Sequence, residues 1–353
     1  MISIRQRLAF QENGSRPIEK EHAQRSNMPT RRTFLILAAG GSYALSGFRA
    51  QADEAWPTRS VRLISPYGPG GSNDTSLRIL AERFESRFHQ RFIVENRSGA
   101  GTLIGNEAAA HATPDGYTFL YAAAPYATAE AMYGKLNYDP RKDLKPISLA
   151  VIAPVFLIVN SEAPYKTLQE FIAYAKALPN GVTFASPGAG SGPHLAAELL
   201  FREAGLKGLN VAFRGDSTAY TELLAGRVDA TLTAITVALP HIRAGKLRVL
   251  GVASQKRTPL FPDAPTLVEQ GFPSVVGSAW FGFMAPTGTP TAVIDMLQDA
   301  IIKTLAEPDV KDKLQIQGLE PRGTSAAEFG NFIEDETMKW GPIIRDAGLQ
   351  VKQ

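Results

Sequence analysis

Three short segments collect small polar residues around glycines: Gly68–Asp74 (GPGGSND), Gly99–Gly105 (GAGTLIG) and Gly188–His194 (GAGSGPH). Glycine lets the backbone approach a ligand closely, and the free amides of a helix's first turn attract anions. Such loops grip an oxyanion without reacting with it. Groups that would react are not arranged to do so. His89, His111 and His241 have no metal-ligand spacing, and the carboxylates are spread over helix faces. His194 has no acid partner evident in the sequence and reads as a loop or cap residue. Ser191 lacks the G-x-S-x-G spacing of a hydrolase elbow. There is no G-x-x-x-x-G-K-[ST]. GAGTLIG departs from the dinucleotide fingerprint by one residue, follows the charged run Glu95-Asn96-Arg97, and has Asp115 in a turn where a ribose-binding acid should end a strand. Metal, cofactor and nucleotide are therefore not expected, and neither is an enzyme. The plain alternative for each glycine segment is a tight strand-to-helix turn.

The elements that must hold these loops follow from periodicity. Val61 to Ser65 is a short apolar strand, and after Gly71 the residues Leu77, Leu80, Ala81, Phe84 and Phe88 recur at helical steps. Ser72, Asn73 and Asp74 are favourable residues for the start of that helix. Strands are expected at Arg91–Glu95 and Tyr117–Ala122. A loop-rich stretch, Pro125–Ser148, leads to the apolar strand Val151–Asn160. The rhythm then restarts, with helices at Thr167–Leu178, Leu195–Ala204, Thr218–Ala225 and Thr236–Ala244. Strands Val182–Ala185, Leu209–Phe213, Val228–Ala234 and Leu247–Ala253 alternate with them. Ser274 to Pro290 reads as a return crossing before the last helices. Two α/β lobes joined by two crossings make a hinged clamshell. The expected division is a leader at 1–52, lobe 1 at 53–155 plus 278–353, and lobe 2 at 156–277.

The chain has 353 residues, 44% of them apolar, enough for two cores. Residues 1–52 carry eight of the 37 basic residues and three of the 34 acidic ones. The remainder holds 29 and 31, a formal charge of −2, so no nucleic-acid surface is expected. Thr30-Arg31-Arg32-Thr33-Phe34-Leu35 opens an apolar run, and Ala50-Gln51-Ala52 is an A-x-A cleavage site. The paired arginines have the form of a twin-arginine export signal. Met28 is a candidate start. The apolar run, interrupted by Gly40 and Gly41, is short for a membrane span. With no cysteine in the sequence there is no disulfide, thiolate site or lipidated cysteine. The product is expected to be soluble and periplasmic after cleavage.

Several longer motifs carry a family resemblance. PYGPGGSND at Pro66–Asp74, VENRSGAGTLIGNEAAAHATPDGYTFL at Val94–Leu120 and FASPGAGSGPHLAAELL at Phe184–Leu200 are similar to the extracytoplasmic solute receptors of tripartite tricarboxylate transporters, the Bug family. VAFRGDSTAYTELLAGRVDA at Val211–Ala230 and GKLRVLGVASQKRTPLFPDAPTLVEQGFP at Gly245–Pro273 continue the resemblance over nearly all of the mature chain. Ser98 replaces the family's usual proline, and Phe213 and Arg214 its tyrosine and lysine. The resemblance implies a two-lobed α/β fold of the type II periplasmic-binding-protein kind, binding a carboxylate between the lobes. One wall would be Gly70, Gly71, Ser72, Asn73 and Asp74, with Asp74 the least suited to touch an anion. The other would be Gly188, Ala189, Gly190, Ser191 and His194, flanked by Arg214, Gly215 and Thr218. Tyr67, Tyr126 and Thr236 would shape the selective side. The implied partners are a small carboxylate (di- or tricarboxylate, amino acid or aromatic acid) and the permease subunits of a transporter, with the receptor a monomer. The other reading is a periplasmic carboxylate sensor docking on a membrane signalling protein.

Overall fold

The structure, a computed structural model, describes residues 56–351. The leader, its cleavage site and Met28 lie outside the described residues. Strand β1 (Val61–Ser65) pairs in parallel with β2 (Phe92–Asn96) on one side and β3 (Thr118–Ala123) on the other. Between β1 and β2 runs α1 (Ser72–Phe88), whose buried residues include Leu77, Leu80, Ala81 and Phe84. It ends where His89 adopts a left-handed conformation and donates its N–H to the Glu85 carbonyl. Gly71 is the residue before the helix, so Ser72, Asn73 and Asp74 form its buried first turn instead of capping it through side chains. Trp56 packs edge-on against Phe88, Phe92 and Phe119 and closes this end of the core.

The stretch expected to be loop-rich contains α3 (Pro125–Tyr133), which follows α2 (Leu103–Ala110) and β3. Its signals are a proline in the first turn, where a missing N–H costs nothing, and several alanines. The following strand is also longer than the apolar run: β4 extends over Leu144–Asn160. Irregularities in its pairing at Pro146/Ser148 and Leu149/Val151 bend it and curl the sheet.

β4 connects the two halves of the molecule. Its first part pairs antiparallel with β9 (Ser278–Pro286), and its last residues pair with β7 (Ala230–Ala234) and β8 (Leu247–Val252). β9 in turn pairs with β3. In the second half β5 (Val182–Ser186) lies between β6 (Gly208–Ala212) and β7, all parallel. The sheet order is β2-β1-β3-β9-β4-β7-β5-β6, with β8 and the short β10 (Glu320–Pro321) also on β4. Helices α4 (Leu168–Ala177), α5 (Gly192–Glu203) and α6 (Asp216–Leu224) serve the second half. The last of that half, α7, is shorter than expected, Leu239–Arg243, because Pro240 is tolerated only in a first turn. The chain then crosses back, and α8 (Thr291–Ala306), α9 (Pro308–Ile316) and α10 (Ala326–Asp346) pack on the first half. The two crossings, β4 and β9, are the strands from which the site is suspended.

Candidate functional site

The β1–α1 loop is held by its own side chains. Ser65 Oγ donates to Asn73 Oδ1 (2.7 Å), and Asn73 Nδ2 donates to the Tyr121 carbonyl (3.3 Å). The Asp74 carboxylate accepts from the Gly70 amide, Arg78 Nε and Asn96 Nδ2, each at 2.9 Å. Asp74 therefore fixes the loop from behind. Burial opposes its charge, but Arg78, the Gly70 amide and Asn96 together hold the carboxyl below its ordinary range. A carboxyl depressed in the folded state stabilises it above the unfolded pKa, about 4, and that contribution is lost as pH falls through the lower folded value. Asp74→Asn should thus melt below the wild type at neutral pH, with the gap closing on acidification below about pH 4. Melting curves across that range check it; a gap independent of pH would deny Asp74 this role.

The β5–α5 loop is tied from three sides. The Gly190 amide donates to His194 Nδ1 (3.1 Å), while the His194 amide donates to Ser191 Oγ (3.2 Å), which caps α5. The imidazole is buried, and its Nε2 lies 3.4 Å from Glu198 Oε1, one helical turn on. His194 therefore has an acid partner after all, missed because an i,i+4 pair on an apolar helix gives no motif. Thr128 Oγ1, on α3, donates to the Gly190 carbonyl (2.8 Å).

The third loop supplies a residue that the sequence did not single out. Asp216, the first residue of α6, is only 5% exposed. Its Oδ2 accepts from the Ser72 amide (3.0 Å) and Ser72 Oγ (2.5 Å), and its Oδ1 accepts from Thr233 Oγ1 (2.8 Å). It joins the first turn of α1 to the other half of the sheet. Two bonds flank it: the Gly68 amide donates to the Arg214 carbonyl (2.8 Å) and Ser217 Oγ donates to the Pro69 carbonyl (3.0 Å). The only signal in the sequence is an acidic residue two positions after Arg214 in the loop Arg214–Thr218, and an acidic residue there reads equally as a helix cap.

Where these loops converge there is a cavity with about 350 Å³ of empty space, of which only about 20 Å³ admits the centre of a water molecule. That is room for about one water. Tyr67, Gly71, Ser72 and Asn73 line it from the first half. Pro187, Ser191, Gly192, Pro193 and Asp216 line it from the second. Ala123, Ala124 and the β9 residues Ala279, Trp280 and Phe281 form its floor. Burial and the neighbouring Asp216 carboxylate push the Tyr67 phenol far above its ordinary pKa, so it stays protonated and able to donate.

The other expected site residues lie around this cavity or away from it. Gly70 and Gly190 have φ of +80° and +74°, and with Gly188, Ala189 and Gly215 they shape the backbone of the loops without lining the space. Arg214 is exposed, and Thr218 Oγ1 donates to the Gly215 carbonyl (3.0 Å). Tyr126 lies elsewhere: its hydroxyl donates to the Pro140 carbonyl (2.5 Å), and it lines a separate groove between α3 and α10. Thr236 is likewise engaged, donating to the Gln317 carbonyl (2.8 Å). Gly105 has a packing role, since a Cβ there would stand 2.8 Å from Pro66 Cα.

Comparison with known proteins fits this geometry. Residues 76–349 match the family model described as tripartite tricarboxylate transporter family receptor. The chain belongs to that receptor family. It is 34% identical over 323 residues to protein BugT of Bordetella pertussis, covering 91% of this chain and 99% of that one. The solved structure of R. palustris Rpa4515 with adipate is 31% identical, has a TM-score of 0.80, and is covered over 98% of its length against 83% of this chain. MatC from Rhodopseudomonas palustris with bound malate is also 31% identical, with a TM-score of 0.78, 100% of its length and 82% of this chain covered. The fold is accordingly the two-lobed periplasmic-binding-protein type, and its neighbours are receptors and binding proteins. In the receptor no group of His, Asp and Glu able to hold a metal occurs among the described residues.

Proposed function

We propose that this receptor captures a small carboxylate in the periplasm and hands it to the permease subunits of a tripartite tricarboxylate-type transporter. The observation that carries this is the convergence of glycine-rich loops from both halves of the sheet on one cavity, with the Ser72 and Ser191 turns at two helix starts. The adipate and malate bound by two relatives of the same fold support a carboxylate. We place the lobe boundaries on the crossing strands, with residues 53–155 and 278–353 in lobe 1 and 156–277 in lobe 2. The twin-arginine-like segment Thr30–Leu35 and the Ala50-Gln51-Ala52 site support export and release. No described helix is long and apolar enough to cross a membrane.

A ligand that bridges both lobes favours the closed arrangement by its differential affinity, which gives a permease a means of distinguishing loaded receptor from empty. A thermal-shift screen over a carboxylate library is the direct test. A ligand at a hundred times its Kd should add about 2.7 kcal/mol of stability, a rise of several degrees in melting temperature. No shift with any carboxylate would defeat this reading.

A further inference from the structure

Asp216 holds the seat that a free carboxylate would be expected to take. Its Oδ2 accepts both the amide and the hydroxyl of Ser72 at the start of α1, the arrangement that the first turn of a helix offers an anion. Among the described residues it has no Lys, Arg or His in ion-pair contact, although it is 5% exposed. It is also the only charged side chain among the residues lining the cavity. Tyr67 and Ser191 are neutral, and Ala123, Ala124, Pro187 and the Ala279–Phe281 floor are apolar.

The electrostatic consequence is direct. A buried carboxylate without a cation is costly, and the first turns of α1 and α6 offset only part of that cost. Its Oδ1 accepts a single bond, from Thr233, and an ionised carboxylate has about four acceptor sites in all. A ligand bringing a second unpaired anion to this wall meets a like charge in a space with room for little water to screen it. A ligand bringing an ammonium group supplies the missing counter-ion.

The geometry points to Asp216 as the specificity-determining residue of this cleft, selecting ligands that carry a cationic amine beside the carboxylate and disfavouring plain carboxylates and dianions. The ligand class is then zwitterionic amino acids. Their carboxylate goes to the capped start of α5 around Ser191 and Gly192, and their ammonium faces Asp216 and the Tyr67 hydroxyl. The assignment rests on the carboxylate-receptor reading above and narrows it.

The test uses matched pairs that differ only in the amine: leucine and isocaproate, phenylalanine and hydrocinnamate, glutamate and glutarate. Each is titrated calorimetrically into the wild-type receptor, Asp216→Asn and Asp216→Ser. The amino member of at least one pair should bind the wild type about tenfold or more tightly than its partner, as expected for a buried charge pair. Both variants should bring that ratio near one, chiefly by weakening the amino acid. Asp216→Ser duplicates the measurement should Asp216→Asn fold poorly, and the wild-type ratio needs no variant. If the deaminated acids bind the wild type equally well or better, the selection by Asp216 is wrong while the carboxylate-receptor reading stands. A preference that survives in both variants also removes the role from Asp216. If no member of any pair binds, the amino-acid assignment falls, and the carboxylate-receptor reading is decided separately by the thermal-shift screen over the full carboxylate library.

Discussion

Gly190→Val should abolish ligand binding while leaving a folded protein. Gly190 sits at φ +74°, where a β-branched residue is a true outlier, with strain on the order of 1–3 kcal/mol. Space is lacking as well: a Cβ there would lie 2.7 Å from Thr128 Oγ1 and 2.9 Å from Met132 Cγ. The loop must move, and with it go the bonds of the Gly190 amide to His194 and of Thr128 to the Gly190 carbonyl. These bonds set the position of Ser191 on the cavity wall. A displacement costing about 3 kcal/mol of binding would lower affinity by more than a hundredfold. Calorimetry with a carboxylate from the thermal-shift screen measures it. Circular dichroism should show native secondary structure, with melting lowered by a few degrees. Unchanged affinity would place the ligand away from this loop.

The largest loss of stability is expected from Trp280→Ala. Trp280 is fully buried on β9 and forms part of the cavity floor. Phe329 and Phe332 of α10 meet its ring edge-on, at 5.8 and 5.5 Å between centroids. Its indole N–H donates to Glu336 Oε2 (3.1 Å), and the buried Trp340 donates to the same oxygen (3.1 Å). Truncation removes this packing and opens a cavity, a cost of about 3–5 kcal/mol and on the order of 10 °C in melting temperature. Glu336→Leu should cost about 2–4 kcal/mol by a different route, since it leaves two indole donors without an acceptor. Thermal melting of both variants separates the cases. A loss below about 1 kcal/mol in Trp280→Ala would mean that α10 does not clamp the floor. The arrangement matters for the site because β9, which carries these floor residues, pairs with both β3 and β4 at the centre of the sheet.

The sequence by itself determined most of the elements and the glycine-rich loops between them. Leu77, Leu80, Ala81 and Phe84 at helical steps produce the buried face of α1, and Val61 to Ser65 the strand before it. The glycine loops were legible too, because positive φ at Gly70 and Gly190 is a local demand of the backbone. Local signals failed where a segment had weak periodicity: α3 went unread in the stretch Pro125–Ser148, and β4 begins before its apolar run.

What only the tertiary structure decided is which loops meet. Asp216 and Ser72 are 144 residues apart, and nothing in either neighbourhood specifies the other. Their meeting depends on β4 and β9 running antiparallel at the centre of one sheet, so that the loop ends of both halves face each other. The same long-range geometry sends Tyr126 to the Pro140 carbonyl and Thr236 to the Gln317 carbonyl, away from the cavity. It also brings Trp280 into the floor. Periodicity reports which face of an element is buried; it does not report against what. The partner is set by strand order and register, which are properties of the whole sheet.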